Sequence, residues 1–160
     1  MHIRSAQPAD LPILLELTIG TFGPFFEESY AAIVGPVVFQ NRHGNWRQDY
    51  AAQLARLHDP ARGRHVAVAE IQGEIVGYVA WALTAEARHG VIDLLAVSEG
   101  SRQQGIGRAL AEHAIAAAKA GGAEVVSIGT GGDAFHAPAR RLYEALGFTP
   151  FINVSYTKAV

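Results

Sequence analysis

The sequence predicts an α/β fold of the α+β kind: one domain with a mixed central β-sheet flanked by helices. Three observations predict it. The hydrophobic period is helical in the first third and strand-like from His65 onward. The apolar run Leu94-Leu95-Ala96-Val97 passes through a polar, glycine-containing turn into an alanine-rich helix. A second strand–turn–helix unit follows between Glu124 and Gly147. At 160 residues the chain has the length of one domain, residues 1–160, and can bury a core.

The elements follow in order. Residues 2–6 form a short first strand. Asp10 is placed to cap a helix with Pro12 in its first turn, where a missing N–H costs little. Leu11, Leu14, Leu15 and Thr18 share one face of that helix, which ends near Gly23-Pro24. Residues 23–47 are the least regular part, rich in aromatics and broken at Gly35-Pro36 and His43-Gly44-Asn45. A helix covers 46–57. Residues 65–71 and 74–83 pair as a hairpin across Gln72-Gly73, and Gly77 marks a bulge or a close backbone approach. Residues 90–97 form the strand leading into the glycine turn. The helix after it covers 106–120, with Leu110, Ala111, Ala114, Ile115 and Ala118 as its apolar stripe. A buried-type strand at 124–128, a helix opening at Pro138, and final strands at 148–151 and 153–158 complete the chain.

Composition narrows the function classes. Hydrophobic residues make up 49% and charged residues 18%, as in ordinary globular proteins. A net charge of −2 offers no basic excess for nucleic acid. The absence of cysteine excludes disulfides, thiolate metal sites and a cysteine acyl-enzyme. The seven histidines do not fall at ligand spacings such as His-x-x-x-His, so no metal is assigned. No apolar run approaches the length of a membrane span and the N-terminus has no signal-type core, so no membrane partner and a cytoplasmic location are expected.

The turn at 98–108 carries the chemistry. A strand entering a helix through a glycine turn leaves backbone N–H groups without helical partners, and the helix dipole favours an anion there. Gly105 and Gly107 let a ligand approach the backbone. Arg102 and Arg108 bracket the turn. These features point to a phosphate-bearing ligand.

Two motifs in order carry a resemblance. The first is Arg102-Gln103-Gln104-Gly105-Ile106-Gly107, and the second is Ala139-Arg140-Arg141-Leu142-Tyr143-Glu144-Ala145-Leu146-Gly147-Phe148. Over residues 65–150 the chain resembles the GNAT superfamily of N-acetyltransferases. The resemblance implies that acetyl-CoA is the co-substrate. Its pyrophosphate would lie on the turn of Arg102, Gln103, Gln104, Gly105, Ile106, Gly107 and Arg108. Its pantetheine arm would run along the backbone of Leu95, Ala96 and Val97, in a strand over 91–97 that splays from its neighbour. Tyr143 stands at the family's general-acid position. Glu99 replaces a frequent proline, and His136 replaces an asparagine that contacts the cofactor, so His136 joins the cofactor-binding set.

A general base must take the proton of the attacking amine. Asp93 and Glu28 are the catalytic candidates, with Glu27 and His136 beside them. Asp93 lies in an otherwise apolar strand, on one face with Val91 and Leu95, where a carboxylate needs a partner or a function. The glycine loop 129–133 shapes the acceptor or pantetheine side, with Asp133 and His136 as polar contacts. The function so implied is acetyl transfer to a primary amine, in a small molecule or a peptide. The alternative is a CoA-binding regulatory or interaction module with little turnover. The β-rich C-terminus offers an edge for a homodimer.

Overall fold

The computed structural model describes residues 1–84 and 86–160. The chain forms β1 (His2–Ser5), α1 (Leu11–Pro24), α2 (Ala31–Val34), α3 (Pro36–His43), α4 (Trp46–Leu54), β2 (Arg64–Ile71), β3 (Glu74–Thr84), β4 (His89–Val97), α5 (Ile106–Ala120), β5 (Val125–Ile128) and α6 (Ala137–Ala145). The five strands make one mixed sheet in the order β1-β2-β3-β4-β5, antiparallel as far as β4, with β5 parallel to β4.

Strand alternation sorts two cores. Val66, Val68, Tyr78, Ala80, Leu94 and Ala96 meet Leu14 of α1 and Leu54 of α4 on one face. Ala67, Ala69, Val79, Trp81 and Ile92 meet Ile106, Leu110, Ala114 and Ala118 of α5 on the other. The alanines of α5 bring it close to the sheet: a Cβ on Gly90 would lie 2.9 Å from that of Ala118. The Gln72-Gly73 turn has positive φ at both residues, 54° and 87°, the geometry that suits a two-residue hairpin.

Two bulges interrupt the pairing. Ala69 faces Gly77 while Glu70 faces Ile75, so Val76 is the extra residue beside Gly77. A Cβ on Gly77 would stand 2.8 Å from the Ala96 carbonyl oxygen, which explains the glycine. The second bulge is Asp93: Leu94 faces Ala80 and Ile92 faces Trp81, with nothing opposite Asp93. This corrects the simple alternation expected of β4. Ile92 packs in the α5 core together with Leu95 and Val97, whereas Leu94 and Ala96 turn to the α1 core. The extra residue has reversed the parity of the strand and re-aimed the carboxylate.

Three further expectations are corrected. Residues 23–47 are largely helical. Pro24 lies inside the helix, and the chain continues as a π-turn over Phe25–Tyr30 into α2 before Gly35, at φ +79°, breaks it. A proline lacks the N–H of the regular ladder, and a widened turn accommodates the loss. Second, the helical run Pro8–Val34, 27 residues long, is long and apolar enough to cross a membrane by length and composition. Here Leu14, Thr18 and Phe26 of that run are buried within the protein. Third, residues 148–160 form no strand, and Phe151, Ile152, Val154 and Tyr156 are exposed.

β1 is tied to its surroundings by Arg4, whose guanidinium binds Asp10 at 2.7 Å and Glu70 of β2 at 2.6 Å. Asp10 also accepts the Gln7 backbone N–H at 2.7 Å. The hydrogen bond from Arg4 holds its carboxyl below the ordinary range despite burial.

Candidate functional site

β5 pairs with β4 only from His89 opposite Val125 to Ile92 opposite Ile128. From Asp93 onward β4 has no neighbour on that side, so its backbone groups over 93–97 face an opening rather than a strand. A cleft of about 800 Å³ occupies that opening.

The elements around the parting supply its walls. Asp93, Leu94, Leu95 and Val97 of β4 line one side, and Ile128, Gly129 and Thr130, at and beyond the end of β5, line another. Ser101, Arg102, Gln103, Gly105, Ile106, Gly107 and Arg108 close one end. Phe135, His136, Pro138, Ala139, Leu142 and Tyr143 border the cleft from the α6 side. Thr21, Phe22, Phe25, Phe26 and Tyr50 form the far end.

The turn has the geometry of an anion site. Gly105 precedes α5 in the left-handed conformation, φ +79°, and no side chain caps the helix. The first intrahelical bond runs from the Ala109 N–H to the Gly105 carbonyl, so the N–H groups of Ile106, Gly107 and Arg108 lie ahead of it. Gln103 also takes a positive φ, 62°, a strained choice for a residue with a Cβ. Arg102 donates to the Val97 carbonyl at 3.3 Å, and Arg108 bonds Glu112 at 3.2 Å and the Ala145 carbonyl of α6 at 3.3 Å. The ends of β4, α5 and α6 are thereby joined beside the turn.

Tyr143 reaches the cleft from α6, with its ring edge-on to Phe148 at 6.2 Å. Burial pushes its hydroxyl up to about 12, so it stays protonated at neutral pH. Burial also raises the Asp93 carboxyl, against a smaller opposing influence from Arg64. His136 places Nδ1 2.7 Å from Asp133 Oδ2 and donates its backbone N–H to Oδ1 at 3.3 Å. Burial works to raise the Asp133 carboxyl, but these bonds outweigh it and hold it low. The carboxylate engages Nδ1 and leaves Nε2 free. Arg140 donates to the carbonyls of Gly131 and Asp133 and closes the glycine loop around this pair.

Tyr143, Asp93, His136, Leu95, Val97, Arg102, Gln103, Gly105, Ile106, Gly107 and Arg108 thus border one cleft. Five residues named from the sequence, Ala96, Gln104, Glu28, Glu27 and Asp133, do not line it, though Asp133 holds His136 there. Ala96 turns its side chain into the α1 core and its carbonyl oxygen toward Gly77 of β3. Gln104 folds its amide back onto the Gly100 carbonyl. Glu28 is exposed on the π-turn, and its neighbour Glu27 pairs with Arg47. Sequence reasoning missed Phe135, for which the one available signal was its place beside His136; Thr130 and Ser101 fell within the loop 129–133 and the turn 98–108 that it singled out, without roles of their own.

Comparison with known proteins agrees with this architecture. Residues 27–148 match the model of the acetyltransferase (GNAT) family. A candidate acetyltransferase from Agrobacterium tumefaciens shares 27% identity over 99% of this chain and 100% of that one, with a TM-score of 0.63. An aminoglycoside acetyltransferase from an uncultured soil metagenomic sample shares 24% over 99% and 98%, with a TM-score of 0.65. A ribosomal-protein-alanine N-acetyltransferase from Brucella melitensis shares 18% over 99% and 100%, with a TM-score of 0.64. No curated protein sequence matches the chain.

Proposed function

The chain belongs to the GNAT acetyltransferase family, and from that premise we propose that this acyltransferase moves the acetyl group of acetyl-CoA to a primary amine by direct attack. The observation that carries the reading is the parting of β4 from β5 beside an uncapped helix start. It leaves a backbone rail and an anion site in one cleft, the two things an extended thioester with a pyrophosphate needs.

In this reading the pyrophosphate takes the N–H groups of Ile106, Gly107 and Arg108, with Arg102 alongside. The thioester lies against β4 where it has parted from β5, beside Leu95, and an N–H directed at its oxygen there stabilises the charge that develops. The amine nitrogen attacks the carbonyl carbon, the C–S bond breaks, and sulfur leaves as a thiolate. The bound ammonium gives one proton to a base before it attacks; the nitrogen loses a second as the amide forms and the thiolate gains one, so amide, thiol and one released proton are the products. With no cysteine in the chain, no cysteine acyl-enzyme precedes this step.

Tyr143 serves the leaving sulfur. A hydroxyl held at about 12 releases its proton less readily than a thiol near 8.5. Tyr143 therefore acts by donating a hydrogen bond to the thiolate, while the proton lost from nitrogen restores the thiol. Asp93 and His136, both bordering the cleft, are our candidates for the base that takes the first proton, the one the ammonium loses before attack. Tyr143→Phe should lower kcat about 100-fold with little change in Tm. An undiminished kcat would remove Tyr143 from the mechanism. Thermal stabilisation by acetyl-CoA without thiol release over a broad amine panel would instead favour a CoA-binding module.

A further inference from the structure

We propose that the acceptor is a small primary amine on an aromatic or otherwise apolar body, its ammonium group directed at Asp93. The proposal rests on the acetyl-transfer reading above and specifies its second substrate.

The far end of the cleft is built from rings. Phe22 stacks on Tyr50 at 5.4 Å, Phe25 meets Phe135 at 5.6 Å, and Phe26 stacks on Trp46 at 5.0 Å. Each ring is held by another, so the wall is set before a ligand arrives. Among the residues lining the cleft, Asp93 is the only carboxylate and the other full charges are Arg102 and Arg108, while Arg64 acts on Asp93 from β2. The bulge projects Asp93 from the very strand that faces the thioester.

One acid among rings suits one ammonium on one apolar body. A polycation would bring several ammonium groups to a site with a single carboxylate and two arginines of its own sign. An extended peptide binds by adding to a strand edge. The free edge within this cleft, residues 93–97 of β4, is the one the thioester arm occupies.

The test is steady-state thiol release from acetyl-CoA with phenethylamine, kanamycin and a peptide beginning with alanine, run beside acetyl-CoA thermal shifts. Phenethylamine should show the highest kcat/KM by at least about 10-fold, the worth of burying one ring. Phe25→Leu should raise KM for phenethylamine and leave KM for acetyl-CoA unchanged. Asp93→Asn should lower kcat/KM for every amine. Preference for kanamycin or the peptide would overturn the acceptor proposal and leave acetyl transfer standing. Binding of acetyl-CoA with no amine acetylated would overturn both.

Discussion

At the scale of single residues, one buried and one exposed polar group do different work. Thr18 Oγ1 on α1 donates to the Leu14 carbonyl at 2.6 Å or shares its proton with the Tyr78 hydroxyl of β3, also at 2.6 Å. Both side chains are fully buried. Thr18→Val strands the Tyr78 hydroxyl and should cost about 1–3 kcal/mol, a Tm loss of roughly 2–10 °C. Tyr78→Phe should cost less, because Thr18 keeps Leu14. The double variant should fall short of the sum, measured by thermal denaturation. Asp93 is the functional counterpart. Its carboxyl is raised by partial desolvation. If the ionised form receives the proton or pairs with the ammonium, kcat/KM is lost as pH falls, with a midpoint above the ordinary 3.9 or so of an aspartate. Asp93→Asn should abolish that acid limb. The sequence singled out Asp93 as a carboxylate among apolar neighbours. It did not disclose the bulge, because an extra residue in a strand leaves no mark on an apolar run.

At the scale of elements, the turn into α5 was the most readable part, and its two glycines serve separate ends. Gly105 needs its positive φ, and a Cβ there would meet only open space. Gly105→Ala should therefore destabilise the protein by about 1–2 kcal/mol through backbone strain alone. Gly107 lies within α5, and a Cβ there would sit 3.4 Å from Leu142, an ordinary contact. Gly107→Ala should leave Tm unchanged or raise it slightly, by about 0.5–1 kcal/mol of helix propensity, yet raise KM for acetyl-CoA by crowding the cleft. Equal Tm losses in both variants would contradict this division. The aromatic segment read worst. Gly23-Pro24 looks like a helix stop, and only packing reveals that Gly23 makes room for Trp46, 3.3 Å from a would-be Cβ, while the helix continues through a π-turn.

At the scale of the molecule, the mixed sheet and the hairpin across Gln72-Gly73 followed from period and turn signals, because they rest on contacts close in sequence, whereas the pairing of His2 with Glu70 and of His89 with Val125 that completes the strand order joins distant segments and left no such signal. The C-terminal strands did not form in this chain, since a β-pattern states a propensity and names no partner. Global stability should carry a signature of the Arg4 clamp, which joins β1, β2 and the start of α1. The native Asp10 carboxyl titrates lower than in the unfolded chain, so the unfolded state takes up its proton first as pH drops. Its contribution is full above about pH 4 and disappears as pH falls through the native value. Asp10→Asn should flatten that part of the pH–Tm curve.

The bulge at Asp93 also sets how the chain tolerates change in length. Substituting Asp93 alters one side chain. Deleting it would make Ile92 and Leu94 consecutive, still opposite Trp81 and Ala80, so Leu94, Leu95, Ala96 and Val97 would keep the faces they now have. Both cores would stay sorted, and only the carboxylate and the local twist beside the cleft would be lost. A variant lacking residue 93 should therefore fold, as thermal denaturation would show, and lose activity as Asp93→Asn does.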